Sequence, residues 1–492
     1  MVLRRLRKIA IFFQKLKIVP SRMNALLAHW IDGVLVSAIC NSLSSLVRLR
    51  SSIFSPVNRF LQVTDSCVRH RALWLIPFLL TLGCDRGSSE DSQITYWSAN
   101  NQYEQNLAKV VVEEWNQLHP DMPVKHQPIP EGQSSEEVIL AAVVGDSPPD
   151  VYSNMWPGDV QLYVNARVLV PLSDFADFDS VADSRLKPDI LAEARSLDGK
   201  VYQIPWKTNP IMMMYNRGVL AEHGFSAPAR TYSEYIAQAE VLTADLDGDG
   251  YTDRYMGVRD IRAIWWQRFF DYYTFYIAAT GGQTLMRDGR PIFDNPASVG
   301  VFEFLQTMFA KKYFPLEKST GRGDLFLSGR VVTRFTGPWE ITHAEKFKPE
   351  GFEYDFAPVP VPDAHDGPVY TYGDFKNIVI FRTGNNAKNA WEFVKFMISR
   401  TNDHRLLTIT SQLPIRKGIL RDSLYQEYFR ENPMMVKFGK QAEYVRGIDA
   451  GKDMKEIFDA ISQEYEACVV YSAKTPEAAV RDASKRVELI LK

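Results

Sequence analysis

Residues 93–128, QITYWSANNQYEQNLAKVVVEEWNQLHPDMPVKHQP, decide the architecture. Ile94-Thr95-Tyr96-Trp97 is an apolar strand, and the polar loop behind it leads into a helix whose apolar residues Leu107, Val110, Val111 and Trp115 recur at helical spacing. His119-Pro120 ends that helix, because a proline cannot continue it. A second strand runs from Pro123 to Pro128, a helix extends to Val144, Pro148-Pro149-Asp150 breaks the chain, and a third strand occupies Val151 to Ser153. Strand, helix, strand, helix, strand is the pattern of a parallel sheet with crossover helices. Such sheets bind ligands at the carboxyl ends of their strands. Those ends carry Ser98 to Asn101, Pro130 to Gln133, and Asn154 to Asp159.

Beyond Leu220 the chain turns more helical, with helical spacing over 231–242, 264–279 and 297–312. An apolar strand returns at 377–381, followed by a helix over 387–398. A second region therefore forms around its own core, and several crossings between the two place a cleft between them.

In the other direction, Leu73 to Leu82 is a short apolar run preceded by Arg69, His70 and Arg71 and followed by Gly83-Cys84. Ten apolar residues reach roughly 15 Å as a helix, about half a bilayer core, which suits an export signal better than an anchor. Cys84 resembles the lipidated cysteine of a bacterial lipoprotein, although Thr81 stands where a leucine is usual. Residues 68–83 are then expected to be a signal peptide and 84–91 a small, charged, lipid-anchored tether. Residues 1–67 hold ten Lys or Arg against two Asp, a net +8. They are expected to be a non-functional extension from a start assigned too early; the rival is a basic arm for membrane or nucleic acid. With them and the two signal arginines set aside, the total of −2 becomes an acidic −12 from Cys84 onward, against a nucleic-acid partner. Cys40 and Cys67 lie upstream, so Cys468 has no partner and no disulfide is expected.

Several stretches carry a family resemblance in order: ITYWSANN with EEWNQLHPDMPVKHQPIP, PPDVYSNM with LVPLSDF, GKVYQIPWKTNPIMMMYNRGVLAEHGF, LSGRVVTRFTGPWE, FKNIVIFRTGNNAKNAWEFVKFM and SQLPIRKG. From about Ile94 to Leu491 the chain resembles the extracellular solute-binding proteins of the maltose-binding-like class that serve sugar ABC importers. The resemblance implies an α/β, two-lobed periplasmic-binding-protein fold of type II, each lobe a mixed, mostly parallel sheet flanked by helices. It implies an amino-terminal lobe of 92–205 plus 375–420, a second lobe of 206–374 plus 421–492, and hinges near Pro205 and Tyr372. It further implies a monomer in the cell envelope, lipid-anchored on the periplasmic face of the inner membrane or at the cell surface, that captures a sugar or oligosaccharide and delivers it to ABC permease subunits without cofactor or catalysis.

A sugar presents C–H faces flanked by hydroxyls, so its site needs flat aromatics and amides or carboxylates. Candidates at strand ends of the first lobe are Trp97, Asn100, Glu131, Asn154 and Trp156. Trp206 lies beside the first crossing; Trp266 and its neighbour Trp265, with Asp271, lie in the second lobe. Trp339 in the Gly337-Pro338-Trp339 turn is the leading candidate, and Tyr372 and Asp374 fall at the second crossing. Trp115 and Trp391, at core spacing in helices, are expected to pack.

The loop Asp245, Asp247, Asp249, Tyr251, Asp253, with Gly250 at the sixth place, matches the front of an EF-hand loop and is a candidate structural calcium site. Met256 stands where the bidentate glutamate belongs. No phosphate loop, nucleophile elbow or paired-histidine motif occurs. The alternatives are an envelope carbohydrate-active enzyme using Glu131 and Asp271 as paired carboxylates, and a ligand sensor for a membrane receptor.

Overall fold

In this computed structural model, residues 93–130, 134–316, 324–383, 386–451 and 453–492 are described. The expected extension, signal, tether and Cys84, together with Glu131, lie outside them. The strands are β1 Ile94–Ser98, β2 Val124–Pro128, β3 Val151–Met155, β4 Gln203–Thr208, β5 Met212–Asn216, β6 Met286–Arg287, β7 Arg290–Pro291, β8 Thr333–Thr336, β9 Tyr354–Ala357, β10 Thr371–Tyr372, β11 Lys376–Ile380, β12 Leu413–Pro414 and β13 Val445–Arg446.

Two sheets organise the two lobes. The first has six strands in the order β12-β4-β11-β3-β1-β2. Its β2-β1-β3 half is parallel, as strands joined by crossover helices must be. The helices Gln102–Leu118 and Ser135–Val144 make those crossovers, started by Asn101 and Ser134, whose side chains accept from the amides of Glu104 and Glu137. The other half, β11, β4 and β12, is antiparallel. The second sheet, β8-β5-β9, is antiparallel throughout. The expected predominance of parallel pairs is therefore confined to β1–β3. β11 enters the first sheet directly from the crossing at 371–373 and runs opposite to both β3 and β4.

Trp115 and Trp391 sit in the core of the first lobe, each 2 % exposed. Trp391 stacks on Phe175 with ring centres 5.2 Å apart, and its indole N–H donates to Asp177 at 2.8 Å. Val110, read as apolar-face, is 40 % exposed; the buried stripe of that helix runs through Leu107, Val111 and Trp115 instead. The second lobe is built on an aromatic core that includes Phe275, Phe304 and Phe458. The single helix expected over 264–279 is two pieces, a 3-10 turn Trp265–Phe269 and an α-helix Tyr272–Ala279. Asp271 makes the break: its carboxylate caps the second piece by accepting from the Tyr272 amide at 2.5 Å and pairs with Arg268 at 3.1 Å. Among the described residues no helix is long and apolar enough to cross a membrane.

The chain passes between the sheets at 209–211 and again at 371–373, and the two passages are bonded to each other. Asn209 N–H donates to Gly373 O at 2.7 Å, Ile211 N–H to Tyr372 O at 3.0 Å, and the Thr371 hydroxyl to Ile211 O at 2.7 Å. A third segment joins them: β13 pairs with β10 in parallel, and Gly373 N–H donates to Arg446 O at 2.9 Å. Next along the chain, Gly447 N–H donates to the Glu193 carboxylate at 3.0 Å. Burial raises the Glu193 carboxyl from 4.5 to about 7.

Two outcomes follow. Trp391→Ala should cost about 3 to 5 kcal/mol in a denaturant melt, the usual loss on truncating a buried tryptophan. A raised folded-state pKa means that folding favours the protonated acid, so the contribution of Glu193 is present at low pH and fades as pH rises from 4.5 to about 7. The melting temperature of Glu193→Gln, measured against the parent, should accordingly climb across that window and level off above it.

Candidate functional site

The carboxyl ends of β1 and β3 and the two crossings face the second lobe across a cleft made of two joined cavities, of about 400 and 480 Å³. Ser135, Trp339, Asp374 and Lys376 belong to the walls of both.

The smaller cavity is aromatic. Trp156, Trp265, Trp266, Phe269, Phe270, Trp339 and Tyr372 line it, with Glu136 at the start of the helix after Ser134. Trp266 is 39 % exposed, a large free face for a tryptophan. Trp339 is held from behind by the absence of a side chain at 337: a Cβ there would lie 2.1 Å from its ring. Trp156 folds back in the same way over Gly158, where a Cβ would meet its ring at 2.2 Å. Although it comes from the first lobe, Trp156 packs into the second lobe's core, with ring centres 4.9 Å from Trp265 and 5.5 Å from Phe269. Three residues on, Asp159 accepts from Lys455 of the second lobe at 3.0 Å. Burial lifts the Asp159 carboxyl to about 6, with Lys455 opposing the rise.

The larger cavity is polar. Asn100, Asn101, Glu104, Asn154, Asn209 and Gln412 line it. Glu104 forms a buried ion pair with Lys207, and its Oε1 also accepts from Gln412 at 3.0 Å and Asn101 at 3.3 Å. Burial works against its charge, but Lys207 and these hydrogen bonds outweigh it and hold the carboxyl below its ordinary range. The other oxygen, Oε2, is buried without a partner, as is Asn209 Oδ1. Buried acceptors without donors are costly, and two in one cavity suit a ligand rich in hydroxyl donors. Between the cavities Lys376 lies 3.5 Å from Asp374. Burial works against its charge, yet Asp374 and Glu136 keep it protonated. Asp374 has φ of 40°, a left-handed backbone that aspartate tolerates better than most residues.

Of the residues expected from sequence, the cleft gathers Asn100, Asn154, Trp156, Trp266, Trp339, Tyr372 and Asp374. Tyr372 is only 1 % exposed and packs on Phe269, with centres 5.0 Å apart, so it backs the cavity more than it opens into it. Three expectations are corrected. Trp97 is buried within β1 and lines neither cavity. Trp206 is part of the first lobe's core, 2 % exposed, because β4 is covered on both faces. Asp271 is 1 % exposed in its pair with Arg268, which removes it from any paired-carboxylate catalysis. Reading by sequence missed Glu104, Ser135, Asn209, Lys376 and Gln412. Asn209, Lys376 and Gln412 each stand in a resembling stretch, the first two beside the crossings; Glu104 and Ser135 left no signal.

In the acidic loop, Asp245, Asp247 and Asp253 bring one carboxylate oxygen each within 4.8 Å of one another, while Asp249 stays outside the group. Asp249 instead accepts from the Tyr251 amide at 2.8 Å. Met256 is fully buried.

A family model described as bacterial extracellular solute-binding protein matches residues 111–430. The maltotriose-binding protein of Pyrococcus abyssi is 23 % identical over 360 residues, 72 % of each chain. Among solved structures, an uncharacterized protein from Listeria monocytogenes has a TM-score of 0.71 at 24 % identity, covering 82 % of this chain and 100 % of its own. The sugar-binding protein MalE from Xanthomonas citri has a TM-score of 0.67 at 19 % identity, with 81 % and 97 % covered.

Proposed function

The chain belongs to the bacterial extracellular solute-binding proteins, and from that premise we propose that it captures an oligosaccharide in the cleft and hands it to the permease of an ABC importer. The observation that carries this reading is the division of the cleft: an aromatic cavity bearing Trp266 and Trp339 opens into a polar one with two unsatisfied buried acceptors, Glu104 Oε2 and Asn209 Oδ1. Sugar rings stack on the first and donate hydroxyls to the second. The binding of maltotriose by the Pyrococcus relative supports the substrate class.

Function is closure without bond making. A ligand touching Asn154 from one lobe and Trp339 from the other favours the state in which both reach it, and that difference in affinity is the driving force. The bonded crossings confine the motion to bending at 209–211 and 371–373. Cys84 as a lipid anchor would keep a monomer at the envelope beside its permease.

The Asp245 loop is proposed to hold a structural calcium ion through Asp245, Asp247 and Asp253, away from transport. A chelator should then lower the melting temperature of the parent, and Asp247→Ala should abolish the chelator's effect; a melt indifferent to both refutes the site.

For the sugar site, calorimetric titration with a panel of oligosaccharides should identify a ligand that Trp339→Ala binds at least about tenfold more weakly, a loss of ~1.4 kcal/mol. Gly337→Ala should weaken binding in the same direction, since its methyl displaces the Trp339 ring, whereas Trp391→Ala should bind as the parent does. Parent-like affinity in Trp339→Ala would show the indole to be packing alone.

A further inference from the structure

Behind the aromatic wall, within the second lobe, lies another cavity of about 530 Å³. Phe270 lines both this cavity and the aromatic one, and its ring meets that of Trp339 edge-on at 6.3 Å. Glu340, next in sequence to Trp339, lies on the new cavity's wall.

Three arginines line this space, in different states. Arg334 is occupied by Asp324 at 2.8 Å and Glu340 at 3.0 Å. Arg262 is forked onto Asp260. Arg259 has no carboxylate within ion-pair distance among the described residues. Its guanidinium lies over the Phe335 ring at 4.7 Å and makes one long contact, Nη1 to Phe335 O at 3.5 Å. Nε and Nη2 are shielded from water and have no acceptor. A guanidinium carries five N–H donors and keeps its charge in proteins, so a shielded one without an anion is poorly compensated.

Behind it the nearby anion is Asp271, which acts on Arg259 only from beyond ion-pair distance. Asp271 is taken by Arg268 at 3.1 Å, and Arg268 stacks on Tyr465 at 3.7 Å. Two buried guanidiniums thus share one carboxylate, and Arg259 holds the more distant place. The planar fork of an arginine matches a carboxylate or a phosphate with two parallel hydrogen bonds.

We propose that this cavity is an anion subsite, in which Arg259 receives the carboxylate of an acidic sugar residue while the rest of the oligosaccharide lies along Phe270 and Trp339. This rests on the cleft being a sugar site, and it narrows the ligand to one that carries a uronate. Arg259 then determines specificity, and a neutral chain of the same length gains nothing there.

The test is calorimetric titration of the parent, Arg259→Gln and Arg259→Lys with trimers of galacturonate, glucuronate and mannuronate, each beside its neutral counterpart, and with inorganic phosphate. In the parent at least one uronate trimer should bind about tenfold or more tighter than its neutral counterpart, with a preference that shrinks in high salt. Arg259→Gln should erase the preference and leave neutral binding unchanged. Arg259→Lys, which keeps the charge and guards against a folding defect, should retain a reduced preference. Phosphate that binds as well as the trimers, and is lost in Arg259→Gln, would show a site for free anions and overturn the uronate assignment. Equal affinity for acidic and neutral trimers, or a ratio that Arg259→Gln leaves intact while lowering the melting temperature, would make the arginine structural. Neutral sugars that bind through Trp339 without any acidic preference refute this subsite alone; no binding by any sugar refutes the cleft reading and the subsite with it.

Discussion

The hydrogen bonds between the segments 209–211 and 371–373 hold this molecule's parts in relation. They run between two strands that leave one sheet and enter the other, and β13 adds a third strand alongside. A bonded ribbon resists sliding, because shear breaks every bond in the ladder, but it bends at little cost. The lobes are therefore free to change their angle and not their register. Asn209, Tyr372 and Asp374 sit at this ribbon and reach the cleft from a place that moves least.

Positions farther from the ribbon are fixed by different means. Trp156 and Trp339 each rest on a glycine two residues away, so that the local backbone aims the indole before any ligand arrives. On the polar side the Lys207–Glu104 pair does comparable work. Taking two charges out of water is costly, yet the pair leaves one carboxylate oxygen rigid, desolvated and without a donor. Rigid aromatics on one side and a held acceptor on the other reduce the ordering that binding requires.

Local patterns made the skeleton legible. The first three strands and the helices between them were visible because apolar period and breakers agree there, and the helices at 231–242 and 297–312 because their apolar spacing is helical. The break at Asp271 was hidden, since helical spacing runs straight through a single aspartate and its pairing with Arg268 is not written in that spacing. The site was legible where a residue type is rare and placed at a strand end, as with Trp156 and Trp339. Trp97 and Trp206 show the limit of that reasoning. Both lie on or beside strands, and which face a strand buries depends on partners that come from distant sequence. Glu104 was invisible for the same reason, as an ordinary charged residue until the sheet places it beside the cleft.

The first sheet has a further consequence, for the order in which the protein can assemble. Its three parallel strands are complete by Met155, but β11 and β12 come from residues 376–380 and 413–414, after the whole excursion through the second lobe between the two crossings. Contacts so distant in sequence must close long loops before they return any stabilisation, which makes for slow folding. Until Ile380 has emerged β3 keeps one edge unpaired, and until Pro414 has emerged β4 lacks its outer neighbour. A chain built this way carries an open β3 edge through much of its synthesis, and an open edge is a template for wrong pairing until β11 covers it.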